Sequence, residues 1–286
     1  MRIAITSDLH YRPPYRDQMV SLAEQIRALR PELLIIAGDL GEPLDMFTSC
    51  LDIFRDVSPM RAVIAGNHDV WHRVYPYSSE RLWESLLETA TNQYGYTWLE
   101  RQNLKVGGLG ICGTIAWYDY SSRPLGNALD GVDFWQLKKF LSNDASYIDW
   151  GWTDVEFSTL VGEEFEARLD VLDSDARVRD ILVVTHVPLF RECLREARTP
   201  EERLLNTYYA NLTLGQKVQQ RAKVRAVVSG HVHRPTMLEV ARPESPALHV
   251  FSNPSNYGLP AALVLDTMTW SVTTLHAEGV LSAAAR

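Results

Sequence analysis

RIAITSDLH (residues 2–10) is a run of apolar, β-prone residues that ends abruptly in a carboxylate and an imidazole. The pattern recurs at LLIIAGD (33–39) and RAVIAGNHD (61–69). The apolar parts, Arg2–Thr6, Leu33–Ile36 and Arg61–Ile64, are expected as buried strands. Between them, Asp17–Leu29 and Phe47–Asp56 carry apolar residues at helical spacing, so the first third reads βαβαβ. In an open α/β sheet, loops leaving the carboxyl ends of adjacent parallel strands face one crevice. Asp8, His10, Asp39, Asn67 and His68 are thereby expected to share a site.

Working outward, the same pattern returns twice. Ile181–Val184 runs into Thr185-His186, and Arg225–Val228 runs into Ser229-Gly230-His231-Val232-His233. Between the two regions lie a helical stretch around Ser79–Ala90 and short strands over Tyr96–Thr114. The segment from Ala116 to about Asp173 differs in being rich in Trp, Tyr and Asp, with helical periodicity in Phe134–Leu141 and Glu156–Leu172; it reads as an insertion or cap. Thr236–His276 is strand-rich and is expected to form a second sheet, and the alanine-rich tail Ser282–Arg286 is expected to fray. Gly108-Leu-Gly110-Ile-Cys-Gly113 matches a dinucleotide fingerprint, but the residues after it are β-like, so the helix N-terminus that would hold a pyrophosphate is missing.

With 286 residues, 46% of them hydrophobic, the chain is expected to fold as one domain over 1–286, with 116–173 as its insertion. A net charge of −8 argues against gripping nucleic acid through phosphate neutralisation. Cys50, Cys112 and Cys193 are odd in number and widely spaced, which fits neither a disulfide framework nor a CxxC metal motif and suits a reducing cytoplasm. The apolar run at the N-terminus is too short for a signal peptide, and no stretch approaches a membrane span.

Five strand ends therefore carry carboxylate, imidazole or amide oxygen, the donors that hold Mn, Fe or Zn in mixed N/O shells. Taken alone, Asp8-x-His10 and Gly38-Asp39 are weak signals: an Asp after a strand is ordinarily a turn or cap. Gly66-Asn67-His68-Asp69 should arise by chance in about one chain in a thousand, and the Gly-His-x-His pattern of Gly230, His231 and His233 in about one in a hundred. Order and placement give the set its weight.

This series resembles the calcineurin-like metallophosphoesterase superfamily over residues 8 to 233. The resemblance implies a four-layer α/β/β/α sandwich with two mixed β-sheets and a dinuclear metal centre at their carboxyl edge. It implies further that Asp8, His10 and His233 bind one metal, Asp39 bridges, and Asn67, His186 and His231 bind the second, with Mn, Fe or Zn as the ions. His68 would bind no metal; it would stabilise the transition state and protonate the leaving oxygen, an imidazole being matched to proton delivery near pH 7. Asp69 is expected to orient it.

Around this set, Arg12, Arg73 and Arg191 lie within a few residues of a metal motif and are candidates for holding a phosphate oxygen, Arg12 and Arg191 foremost. Asn253-Pro-Ser-Asn256 is a candidate turn closing one side, and His72 a candidate lining residue; His249 and His276 read as packing or surface groups. The aromatics Trp117, Tyr118, Tyr120, Trp150 and Trp152 are expected to be core, with stacking on a substrate as the alternative. The expected activity is hydrolysis of a small organic phosphodiester or monoester, without nucleic-acid or membrane partners. A DNA exonuclease of the recombination-repair type and a non-catalytic scaffold of the same fold are the competing readings. A protein Ser/Thr phosphatase is disfavoured, because Leu40-Gly41-Glu42-Pro43 stands where that branch shows Asp-Arg-Gly.

Overall fold

A computed structural model describes residues 1–72, 76–124 and 131–277. Along the chain its strands are β1 (Arg2–Thr6), β2 (Leu33–Ala37), β3 (Met60–Ile64), β4 (Thr97–Trp98), β5 (Leu104–Val106), β6 (Leu109–Thr114), β7 (Asp180–Thr185), β8 (Val224–Ser229), β9 (Thr236–Arg242), β10 (Ser245–Ser252), β11 (Ala261–Asp266) and β12 (Ser271–His276). They form two six-stranded mixed sheets, ordered β12-β11-β1-β2-β3-β4 and β5-β6-β7-β8-β10-β9. Parallel pairing joins β1 through β4 and, in the other sheet, β6, β7, β8 and β10.

Strand alternation splits the apolar runs between two cores. Ile3, Ile5, Ile35 and Ile64 face Ile111, Leu182, Val184 and Val228 across the sandwich, all fully buried. The other faces are covered by helices. On the first sheet Ala4, Leu34, Ile36 and Val63 meet α1 (Arg16–Ala28), α2 (Leu44–Ile53) and the stretch built from α3 (Ser79–Arg81), a π-helical turn Leu82–Leu86 and α4 (Leu87–Gln93). Gly113 lets the sheets close: a Cβ there would lie 2.7 Å from Ile64 Cγ2 and 2.9 Å from Leu99 Cβ. The glycine motif 108–113 is thus a turn and a close-packed strand.

Two expectations need correction. Thr236–His276 does not make a sheet of its own: β9 and β10 extend the second sheet, while β11 crosses to pair antiparallel with β1. The 116–173 segment is not all insertion. Beyond α5 (Phe134–Leu141) and α6 (Asp144–Tyr147) it includes α7 (Asp154–Ser174), which opens on a Thr153/Glu156 capping box and packs Phe157, Val161, Phe165 and Leu169 in the helical layer over the second sheet. Among the described residues, the excursion from the sandwich is therefore 115–124 and 131–153. Of the five aromatics read as core, Trp117 and Tyr118 are fully buried and Trp150 is buried, with Trp117 packed against Trp150 and Phe157, while Tyr120 and Trp152 are half-buried against that core. The three cysteines are buried and unpaired, and the tail at 282–286 lies outside the described residues.

Candidate metal centre

Loops leaving β1, β2, β3, β7 and β8 meet at one edge of the sandwich. Backbone bonds continue past the strands to fix them: Asp8 N to Gly38 O (3.0 Å), His10 N to Asp39 O (2.9 Å) and Gly230 N to His186 O (3.0 Å). Asp8, His10, Asp39, His231 and His233 all take positive φ, between 42° and 69°. Non-glycine residues seldom adopt this left-handed region, and such strain persists only where the surroundings over-determine it, most often at functional sites. Two motif glycines are glycines for want of space. A Cβ on Gly66 would lie 2.1 Å from Asp39 Oδ1, and one on Gly230 would lie 2.5 Å from Asp8 Oδ2.

The seven residues expected as ligands converge. Asp39 Oδ2 lies 3.6 Å from His10 Nε2 and 3.4 Å from His186 Nε2, a position between the two halves of the cluster. Asp8 Oδ1 is 3.3 Å from His233 Nε2, which lies 3.2 Å from His10 Nε2. On the other side Asn67 Oδ1 is 3.1 Å from both His186 Nε2 and His231 Nδ1. Asp8/His10/His233, Asp8/Asp39/His186 and His10/Asp39/His68 each form a group with the spacing to hold a cation, so spacing alone does not separate His68 from the ligands.

Whether these groups fit metal ions is decided by the outward-facing nitrogens. His186 Nδ1 donates to Ala37 O (2.9 Å), His231 Nε2 to Tyr208 O (3.3 Å), and His233 Nδ1 to Asn256 Oδ1 (3.0 Å). Carbonyl oxygens only accept, so each outer nitrogen carries an N–H, and the inward nitrogen is the one left to bind a metal once any proton on it is displaced. Charge leads to the same place. Asp8 and Asp39 are buried, and every ion pair they make among the described residues is with a histidine. Burial would raise the Asp8 carboxyl, but His233 and His186 hold it down at about 2. Burial likewise opposes a charge on His186, yet Asp39 and Asp8 raise it to about 10. The pocket demands positive charge, which cations supply on displacing those protons.

His68 sits beside the cluster with its backbone N bonded to Asp39 Oδ1 (2.9 Å) and its ring against Trp71, centroids 3.6 Å apart. The carboxylate facing it is Glu42, 3.4 Å from Nδ1, and Tyr257 OH is 3.5 Å from Nε2. Burial lowers the His68 pKa, but the neighbouring Asp39 and Glu42 carboxylates outweigh it and raise it above the ordinary imidazole value. Asp69 does not orient His68. Its carboxylate accepts four backbone N–H bonds, from Asp39 (2.9 Å), Leu40 (2.9 Å), Gly41 (3.3 Å) and Gly66 (2.8 Å), tying the loop after β2 to the loop after β3.

A model of the calcineurin-like phosphoesterase family matches residues 1–235. The chain belongs to that family. Among solved structures it is similar to phosphopantetheinyl hydrolase from Mycobacterium tuberculosis, with a TM-score of 0.63 at 19% identity, covering 88% of this chain and 89% of that one. A dimetal phosphatase from Danio rerio gives 0.54 at 13% (97% and 98% covered), and TT1561 of Thermus thermophilus 0.52 at 12% (96% and 98%). No curated protein matches the sequence significantly. These likenesses establish the phosphoesterase fold.

In this phosphoesterase the site is the floor of a cleft enclosing about 580 Å³. One wall comes from the end of α5 and the turn into α6, where Lys139, Phe140, Leu141, Ser142 and Asn143 line the space, and Phe140 is 85% exposed. That wall is anchored by buried Lys138, whose Nζ lies 2.7 Å from Asp154 Oδ1, a carboxylate also bonded by Trp117 Nε1 and Tyr120 OH. Of the arginines read from sequence, neither Arg12 nor Arg191 lines the cleft. Arg12 pairs with Glu42 (3.4 Å), Arg191 is exposed at the start of a 3-10 turn, and Arg73 lies outside the described residues. Arg195 lines it instead. Its Nε donates to Val232 O (2.9 Å), between two candidate ligands, and among the described residues it makes no ion pair. The Asn253–Asn256 turn does close one side, through the Asn256–His233 bond, and Tyr257 stacks on His10 at 4.1 Å. His72 faces Asp149 (3.8 Å), away from the cluster. Among the described residues no helix is long and apolar enough to cross a membrane.

Proposed function

We propose that this chain is a dinuclear-metal phosphoesterase that hydrolyses a small organic phosphodiester, or monoester, with His68 protonating the leaving oxygen. The observation that carries the reading is the set of inward-facing ligand atoms. Three histidines whose outer nitrogens donate away from the centre converge with His10, two buried carboxylates and one amide oxygen, with His68 beside them and its Nδ1 toward Glu42. Asp8, His10 and His233 would hold one ion, Asn67, His186 and His231 the other, and Asp39 lies where it would touch both. Mn, Fe and Zn all suit such N/O shells. When bound, such a pair supplies a hydroxide nucleophile at neutral pH and offsets charge on the phosphoryl oxygens.

The chain's own residues do the rest. His68, with its Nε2 side toward the cleft and Glu42 behind it, delivers a proton to the departing oxygen. Arg195 is placed to hold a phosphoryl oxygen or a second anionic group of the substrate, the role first assigned to Arg12 and Arg191. A cleft of this volume suits a ligand of coenzyme or nucleotide size. The Mycobacterium tuberculosis neighbour is named for a phosphopantetheinyl group, so an ester of that kind belongs among the substrates tried.

The test is a panel of mono-, di- and cyclic phosphoesters with Mn, Fe and Zn, repeated on His68→Ala. Turnover of small esters that falls in the variant with metal retained is the expected result. Degradation of linear DNA alone would favour the exonuclease reading. Absence of turnover by both proteins would favour a scaffold.

A further inference from the structure

The cap segment does more than wall the cleft. Its buried Asp144, at the start of α6, accepts hydrogen bonds from Asn67 Nδ2 (2.8 Å), Trp71 Nε1 (2.8 Å) and Tyr118 OH (3.0 Å). A carboxylate only accepts, so the Asn67 amide nitrogen must face Asp144 and the oxygen must face His186 and His231. Left to itself the amide would be drawn to the opposite orientation by His231, whose Nε2–H goes to Tyr208 O and whose inward Nδ1 lone pair, at 3.1 Å, would accept from an NH2 group. That orientation offers a cation no oxygen. The same carboxylate holds Trp71, the platform against which His68 packs.

We infer that Asp144 is a positioning residue through which the cap holds the Asn67 amide in its metal-binding orientation and supports His68. The cap and the second metal site are then one energetic unit. This rests on the dinuclear reading above. Losing a partner that orients a metal ligand commonly weakens metal affinity by about 10–100-fold.

The experiment is a zinc titration of metal-free protein followed by calorimetry, with stoichiometry checked by elemental analysis. The parent is expected to bind two ions. Asp144→Ala should bind the first normally and the second at least about tenfold more weakly. Asp144→Asn should stay near the parent, since its amide oxygen can accept from Asn67 and Trp71 while the Tyr118 hydroxyl turns to accept the NH2. The deciding variant is Asn67→Asp placed in the Asp144→Ala background: a carboxylate presents oxygen whichever way it is turned, so second-site binding should recover. If Asp144→Ala does not fold, Asp144→Leu, which keeps the volume, replaces it. A core variant of similar instability, Leu169→Ala, should leave both affinities unchanged. The inference is overturned if the parent binds two ions and Asp144→Ala binds them equally well, or if Asn67→Asp restores nothing. A parent that binds fewer than two ions overturns the dinuclear reading itself.

Discussion

Asp69→Asn should be among the most destabilising near-isosteric changes available at this site, for a reason unrelated to catalysis. Oδ1 takes the N–H groups of Leu40 and Gly41, and Oδ2 those of Asp39 and Gly66, all inside the protein. An amide replaces one of these oxygens with an NH2 that faces two N–H donors. Two buried donors losing their acceptor cost about 1–3 kcal/mol each, hence about 2–6 kcal/mol in all. That is a large share of a typical stability of about 5–15 kcal/mol. The assay is urea unfolding of metal-free protein at pH 8; burial and the Asp39 charge raise the parent carboxyl to about 7, so removing its charge returns part of the cost at this pH, and the two N–H donors left without an acceptor are expected to outweigh that return. Because the bond to Asp39 N also places that residue, metal affinity should fall with stability. A stability loss below about 1 kcal/mol would refute the reasoning. Intact stability with a collapse of kcat would return Asp69 to the role of orienting His68.

Three other outcomes follow from side-chain placement. Arg195→Ala should raise KM by about tenfold or more with little change in metal content, and Arg191→Ala should leave steady-state kinetics unchanged; the reverse would reinstate the arginine first chosen from sequence. Glu42→Gln removes a group that raises the His68 pKa, so the alkaline limb of the kcat/KM profile, where the protonated imidazole is lost, should move to lower pH; an unmoved limb would dissociate Glu42 from His68. Burial raises the Glu100 carboxyl from 4.5 to about 7 despite Arg168 and its bond to Ala65 N. The folded chain therefore holds that proton more tightly than the unfolded one, and stability present below about pH 4.5 is lost as pH rises toward 7. Glu100→Gln should gain on the parent by roughly 3 kcal/mol between pH 5 and 8 in denaturant titrations of metal-free protein, and a constant difference would contradict this.

The convergence of the candidate ligands was legible because each follows an apolar strand, and parallel strands bring their carboxyl ends together whatever lies between them in sequence. The strands and main helices were legible for the same reason: period-2 and period-3.6 patterns survive in a single chain. The residues that complete the site carry no such signal. Asp144 sits in a polar stretch, and only the fold shows that it reaches Asn67. Glu42 and Asp69 are close enough in sequence to the motifs to be noticed, but which carboxylate faces His68 depends on how two loops pack. Arg195 and Arg191 are four residues apart, and the 3-10 turn Arg191–Cys193 between them decides which one turns into the cleft. The destination of β11 was hidden because strand patterning says that a segment pairs, not with which sheet.

The central claim is that two metal ions are held at these strand ends and that Asp39 touches both. Elemental analysis of purified protein beside Asp39→Ala, paired with turnover of a small phosphodiester, tests it most directly. The account predicts close to two Mn, Fe or Zn ions per parent chain, less than one in the variant, and loss of turnover in step. A parent that carries no more than about one ion, or a variant that keeps both ions and its activity, would contradict it.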